Sequence, residues 1–75
     1  MSRLPRPTGA DVVRALGKVA FEVVRIKGSH HFLQHPDGRA TVVPMHAGET
    51  IGPGLMSKIL SDTELSRDEF IKLLS

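Results

Sequence analysis

The chain has no cysteine, tryptophan or tyrosine, and only three phenylalanines among its 75 residues. The lack of cysteine excludes disulfide bonds, zinc sites built on thiolates and cysteine nucleophiles, and it fits a reducing compartment. The scarcity of aromatic side chains argues against recognition of RNA bases by a stacking sheet, because such sheets present several exposed rings. We expect all three rings, those of Phe21, Phe32 and Phe70, in the core.

Long apolar runs are absent as well. No stretch approaches the ~20 apolar residues that cross a bilayer, and Pro5 and Pro7 stand where a secretory signal would carry its apolar segment. The sequence therefore predicts a cytoplasmic protein without membrane contact. Its length predicts a single domain over residues 1–75, with residues 1–7 expected to form a flexible N-terminal segment.

Positive charge is concentrated in the first part of the chain. Residues 1–46 hold seven basic and three acidic side chains, whereas residues 47–75 hold three basic and five acidic ones. A basic surface attracts polyanions through counterion release, which makes RNA or DNA a candidate partner. Ordinary solubilising charge explains the same pattern.

Capping residues and apolar periodicity predict three helices. A capping box of Thr8 and Asp11 precedes a helix over about residues 10–19. A second helix begins at Pro53, which fits a first helical turn because that turn does not use its N–H groups. A short final helix follows a second capping box, which starts at Ser66.

Three strands are predicted between the first two helices. They cover residues 22–27, 30–35 and 40–44. Gly28 separates the first two, and Pro36-Asp37-Gly38 is a strong tight-turn signal before the third. The order predicts an α+β fold in which helices cover one face of a three-stranded antiparallel sheet and leave the other face open.

Two adjacent histidines follow the glycine turn. A strand that must bury one face has little reason to begin with two imidazoles, and His30 and His31 must point to opposite faces. Histidine can accept and donate a proton near neutral pH. With Arg25 and Lys27 nearby in the chain, His30 is a candidate general acid or base acting on an anionic substrate.

Other sites are less well supported by the spacing. His31 and His35 share a face, but their Cα atoms are ~13 Å apart on an extended strand, so a metal site is not indicated. Ser29 directly precedes His30, so their side chains diverge and a Ser–His–Asp triad is not indicated. Metal-free RNA cleavage needs only proton transfer and charge stabilisation, because RNA carries its own 2′-hydroxyl nucleophile. A surface histidine pair beside a hairpin is the alternative explanation.

The ordered set of motifs resembles the HicA toxin family of bacterial and archaeal toxin–antitoxin modules, and the resemblance covers nearly the whole chain. Its motifs are Lys27-Gly28-Ser29-His30-His31-Phe32, His35-Pro36-Asp37-Gly38-Arg39, Val42-Val43-Pro44-Met45-His46, the glycine-rich stretch over residues 48–60, and Leu65-Ser66-Arg67-Asp68-Glu69-Phe70.

The resemblance implies an α-β-β-β-α fold like that of double-stranded-RNA-binding domains, here with a short additional C-terminal helix. It also implies ribonuclease activity on messenger RNA without a metal or other cofactor, and a HicB-type antitoxin protein as partner, covering the active face. The family's catalytic histidine maps onto His30. The candidate RNA contacts are Arg25, Lys27, Gly28, Ser29, His31 and Arg39.

Three positions need comment against the family pattern. Ala20 and Glu64 stand where the family usually has a glycine that ends a helix. His46 matches the family's proline-x-histidine element, and whether its role is structural or RNA-contacting stays open. Two other functions also stay open: a non-catalytic module of the same fold that binds double-stranded RNA, and an interaction protein whose open sheet face docks a partner chain.

Overall fold

A three-stranded antiparallel sheet carries its helices on one face, in a computed structural model that describes residues 6–75. The elements are α1 (Gly9–Gly17), β1 (Glu22–Lys27), β2 (His30–Gln34), β3 (Ala40–Pro44), α2 (Pro53–Thr63) and α3 (Arg67–Leu73). This order confirms the predicted α+β architecture and the strand meander. The bounds of β1 and β3 agree with the prediction, whereas β2 ends one residue earlier and α1 two residues earlier than expected.

Both predicted capping boxes are present. The Thr8 hydroxyl accepts a hydrogen bond from the Asp11 N–H at 3.1 Å, and the Thr8 N–H donates to the Asp11 carboxylate at 3.0 Å. Ser66 and Glu69 repeat the arrangement at the start of α3. The backbone N–H groups of Thr8 and Ser66 lower the pKa of the Asp11 and Glu69 carboxyl groups respectively, because they bind the ionised form.

Both longer helices end at a left-handed residue that is not glycine. Ala20 has φ 71° and Glu64 has φ 57°. At the end of α1, the Phe21 N–H reaches back to the Leu16 carbonyl at 3.2 Å, and at the end of α2 the Leu65 N–H reaches the Leu60 carbonyl at 3.1 Å. These bonds form the Schellman motif, in which Ala20 and Glu64 take the left-handed position. The α-helix α1 itself ends at Gly17, because the N–H groups of Lys18 and Val19 bond three residues back, to the carbonyls of Ala15 and Leu16.

The register of the sheet decides which strand residues face the helices. Leu33 of β2 lies opposite Thr41 of β3, and Leu33, Thr41 and Val43 are buried. Opposed residues share a face, so the helices cover this side. The buried apolar core consists of Val12, Ala15, Leu16, Phe21, Leu33, Val43, Ile51, Met56, Ile59 and Phe70.

The expectation for Phe32 was wrong. Phe32 and Leu33 are neighbours on a strand, so only one of them can face the helices, and Leu33 does. Phe32 lies half-buried on the open face of the sheet, where the Arg25 guanidinium carbon is 5.6 Å from its ring centre. Phe21 and Phe70 are in the core as predicted.

The N-terminal segment is described only from Arg6 onward, so most of the stretch expected to be flexible lies outside the described residues. Pro7 is buried, and its carbonyl accepts a hydrogen bond from the Ile51 N–H at 2.7 Å. Thr8 and Thr50 form an isolated bridge beside this bond. Among residues 6–75, no helix combines the length and the apolar character that crossing a membrane requires.

Candidate functional site

A two-residue turn, Gly28-Ser29, joins β1 to β2 and defines one end of the sheet. Lys27 and His30 are paired on either side of it. Gly28 has φ 60°, and positive φ at the first loop residue is what glycine supplies in a tight hairpin. No neighbouring atom lies within 4 Å of the place where a Cβ would stand, so the backbone angle rather than space requires the glycine.

His30 is exposed on the open face of the sheet. It is paired with Lys27 on one side and with Pro44 on the other, so these three residues share that face. The next open-face row contains Arg25 and Phe32. Within residues 6–75, neither Lys27 nor Arg25 forms an ion pair. Two basic side chains without an ion-pair partner in this part of the chain therefore lie beside His30, both on β1.

The turn is also tied to the segment after β3. The Ser29 carbonyl accepts a hydrogen bond from the Met45 N–H at 2.6 Å. The Ser29 hydroxyl oxygen lies 3.5 Å from Nε2 of His46, which is exposed. The structure thus brings a second imidazole to Ser29 from 17 residues away in the chain. Sequence reasoning left the role of His46 open. The signal that could have placed it here is the predicted hairpin of residues 30–35 and 40–44, whose register brings the residues after Pro44 to the turn before His30.

His31 does not join this group. It is paired with Ile26 and Val43 on the helix-covered face, opposite to His30. Its ring is partly buried, and its Nδ1 is buried without a hydrogen-bond partner in the part of the chain that is described. The structure therefore separates His31 from the other candidate RNA contacts and makes it part of the edge of the core.

Arg39 lies at the other end of the sheet. Gln34 is paired with Ala40 there, about 13 Å along β2 from His30 at the usual rise of a strand. The Arg39 guanidinium forms an ion pair with Asp37 at 2.9 Å, donates to the Thr63 carbonyl and lies 5.2 Å from the centre of the Phe21 ring. These contacts give Arg39 a structural role, and the structure does not bring it to the same site as His30.

Asp37 completes the tight turn before β3. Its carboxylate accepts hydrogen bonds from the backbone N–H of Arg39 at 3.0 Å and from the Arg39 guanidinium at 2.9 Å. The backbone bond is the main reason that the pKa of Asp37 is lowered, and the guanidinium adds to the effect. The basic residue of this turn is therefore matched by its own acidic partner, in contrast to Lys27 beside His30.

Metal-binding side chains do not converge in the described chain. Among residues 6–75, no group of three or more histidine, aspartate and glutamate side chains is close enough to hold a metal ion together. His30 and His31 lie on opposite faces, and His35 lies at the far end of β2. The chemistry available at the glycine turn is therefore that of imidazole, ammonium, guanidinium and hydroxyl groups.

Comparison with known proteins identifies one matching family. The model of a family described as the HicA toxin of bacterial toxin–antitoxin systems matches residues 9–65. The matched stretch runs from the start of α1 past the end of α2, so it includes the whole sheet, the Gly28-Ser29 turn and both exposed imidazoles beside it. No match was found among curated proteins.

Proposed function

The chain belongs to the HicA toxin family of bacterial toxin–antitoxin modules, and from this premise we propose that it is a ribonuclease that cleaves messenger RNA without a metal ion. His30 is the group that moves the proton. One observation carries the proposal: the exposed His30 imidazole lies on the open face beside Lys27, with Arg25 in the next row.

The reaction is a transesterification within the RNA. The 2′-hydroxyl loses its proton to a base and attacks the adjacent phosphorus, and the bond from phosphorus to the 5′-oxygen breaks. The leaving 5′-oxygen takes up a proton, so the products are a 2′,3′-cyclic phosphate and a free 5′-hydroxyl. A neutral imidazole accepts the first proton, and its protonated form can supply the second.

The cations beside His30 have a separate task. Negative charge builds up on the phosphate oxygens as the new bond forms, and fixed positive groups stabilise it. Lys27 shares a row with His30 and Arg25 lies in the next open-face row, so both can contact one phosphodiester backbone. The Ser29 hydroxyl and the Gly28-Ser29 backbone are further candidate phosphate contacts. We leave Arg39 and His31 out of this set because of where they lie.

The partner that follows from family membership is a HicB-type antitoxin. We propose that it covers the open face around His30, since the helices already occupy the other side of the sheet. Such a complex would exclude RNA from the site while the antitoxin is present.

The test is a cleavage assay with the purified full chain, a single-stranded messenger RNA fragment and EDTA. We expect cleavage by the native chain and a loss of about 10²-fold or more in rate for His30→Ala, because positioned proton transfer contributes about that much. A substrate with one 2′-deoxy sugar at the cleaved position should stay intact. Detection of the 2′,3′-cyclic phosphate identifies the reaction.

His31→Leu is the matched control, because it removes the neighbouring imidazole from the other face of the same strand. It should cleave at close to the native rate. Equal rates for the native chain and His30→Ala would refute the role of His30. Binding of double-stranded RNA without any cleavage would instead favour the non-catalytic module of the same fold.

A further inference from the structure

Strand β1 is one of the two edge strands of the sheet. The strand order is β1-β2-β3, and every residue of β1 is exposed. The exposed large apolar side chains of residues 6–75 all lie on this one strand: Val23 is 38%, Val24 58% and Ile26 61% accessible. An edge strand offers unpaired backbone N–H and C=O groups to another strand, and an apolar one does so most readily.

A bulge gives β1 an unusual face pattern. The register shifts between Val23 and Arg25. Val24 lines one groove with Arg25 and Phe32 and another with Glu22 and Gln34, and these neighbours are open-face residues, so Val24 and Arg25 both lie on the open face. Val23 and Ile26 lie opposite Leu33 and His31 and therefore share the helix-covered face. Glu22 and Lys27 lie opposite Gln34 and His30 on the open face. From Glu22 to Lys27, the side chains therefore face the open, covered, open, open, covered and open sides of the sheet in turn. This order is the same when the strand is followed from either end.

This symmetry makes β1 complementary to itself. In an antiparallel pair whose two-fold axis passes between Val24 and Arg25, Glu22 lies opposite the partner's Lys27 and Val23 lies opposite the partner's Ile26. Each pair matches in face. The outer pairs join opposite charges or two apolar side chains, and the central pairs set Val24 against the partner's Arg25. A shift of the axis by half a residue or one residue puts open-face residues against covered ones. Centring it on Ile26 restores the faces but sets Arg25 against the partner's Lys27. Centring it on Val23 also restores them, but it pairs only residues 22–24 of β1 and leaves Glu22 opposite the partner's Val24 instead of a basic side chain.

From this register we infer that β1 is a self-association edge, through which two copies of the chain pair into one continuous six-stranded sheet. Because opposed residues share a face, the open faces of the two copies lie on the same side. The positive charge near the axis does not oppose the pairing strongly, since Arg25 is drawn over Phe32 of its own chain. The inference rests on β1 alone and does not depend on the proposed ribonuclease activity.

The association is expected to be weak. Each copy contributes a strand of six residues, whereas a standard interface has about 20–30 residues on each side. We therefore expect a dissociation constant on the order of 0.1–1 mM. Sedimentation equilibrium of the full chain at roughly 0.05–2 mM, together with backbone amide shifts on dilution, covers this range. The dilution shifts should be concentrated in residues 22–27.

Charge reversal tests the register directly. Glu22→Lys places two lysines opposite each other at both ends of the paired strands, and Lys27→Glu places two glutamates there. We expect each variant to weaken self-association by about tenfold or more, because each change alters two symmetric contacts. The double variant, Glu22→Lys with Lys27→Glu, restores both contacts and should dimerise about as well as the native chain. Ile26→Lys should also dissociate the dimer.

Glu49→Lys is the matched control for Glu22→Lys, since it makes the same change in net charge at an exposed position outside β1. It should leave self-association unchanged. A native chain that stays monomeric at 2 mM would overturn the inference. So would a double variant that stays as weak as the single ones, or dilution shifts that lie outside β1.

Discussion

The left-handed residues that end α1 and α2 give a prediction about stability. Ala20 and Glu64 have φ values of 71° and 57° and are exposed. A side chain with a Cβ is strained in this region, whereas glycine adopts it freely. We therefore expect Ala20→Gly and Glu64→Gly each to stabilise the fold, although glycine inside a helix normally does the opposite.

The magnitude follows from two opposing effects. Removing the Cβ at a left-handed position relieves about 1–2 kcal/mol of strain. Glycine also makes the unfolded chain more flexible, which costs about 0.4–1 kcal/mol. The expected net gain in the free energy of unfolding is about 0.5–1 kcal/mol for each substitution. In a domain of this size, each kcal/mol shifts the thermal midpoint by about 4–8 °C.

Urea denaturation followed by far-ultraviolet circular dichroism is the suitable assay, because the chain has no tryptophan or tyrosine to report by fluorescence. Ala10→Gly is the matched control for Ala20→Gly. Ala10 is exposed within α1 and has an ordinary helical φ, so the same chemical change should lower stability there by about 0.5–1 kcal/mol. Glu64→Ala separates the loss of the carboxylate from the relief of the backbone and should be close to neutral.

The result that would refute the reasoning is a fall in the urea midpoint for Ala20→Gly similar to the fall for Ala10→Gly. Equal values for Glu64→Ala and Glu64→Gly would show that the side chain, and not the backbone angle, determines stability at that helix end. A change in the slope of the transition would show an altered denatured state, so only variants with the native slope enter the comparison.

Other contacts lead to further predictions. His31→Leu should raise the free energy of unfolding by about 1 kcal/mol, because it removes a buried ring nitrogen that lacks a partner; a lower urea midpoint would contradict this. Arg39→Lys should lower it by about 1–2 kcal/mol, since lysine cannot serve Asp37 and the Thr63 carbonyl together. Arg39→Lys should leave RNA affinity unchanged. A lower RNA affinity with unchanged stability would instead make Arg39 an RNA contact. Stability should stay level from pH 7 to about 5 and fall below about pH 4, because carboxyl groups with lowered pKa stabilise the fold only while they are ionised. These groups are Asp11, Asp37, Asp62 and Glu69. Circular dichroism melts between pH 7 and 2 check this, and a thermal midpoint that rises on acidification would contradict it.

Local signals predicted most of the fold. Capping boxes, glycine turns and β-branched runs each depend on residues within a few positions of one another, and the helices and strands that they marked are present. The face of each strand was harder to predict. The sequence His30-His31-Phe32-Leu33 places polar and apolar pairs in succession, so its alternation does not say which of Phe32 and Leu33 faces the helices. The bulge interrupts the alternation in β1 as well, so the sequence of β1 does not say which of its side chains face the helices.

The candidate site was predicted only as far as its residues are neighbours in the chain. His30, Ser29 and Lys27 belong to one turn and lie together. The contacts of Arg39 come from Phe21 and Thr63, which are far from it in sequence, so its basic charge was interpreted as a phosphate contact. His46 shows a different case, because the β2–β3 hairpin pairs His30 with Pro44 and so brings His46, two residues further along, to Ser29. Packing against distant residues decides the place of Arg39, and spacing carries no record of it, whereas the place of His46 follows from the register of a hairpin whose strands and turn were predicted.

The last helix lies beyond the stretch matched by the family model, which ends at residue 65. Its residue Phe70 is nevertheless part of the core and is the largest fully buried side chain among residues 6–75. Truncating a buried phenylalanine typically costs about 3–5 kcal/mol, and a domain of this size is stable by only about 4–11 kcal/mol in total. A segment outside the matched residues thus completes the hydrophobic core. A shortened chain that stops at residue 65 would lose Phe70 from the core. It would then lose the rigid packing of the sheet that presents the glycine turn.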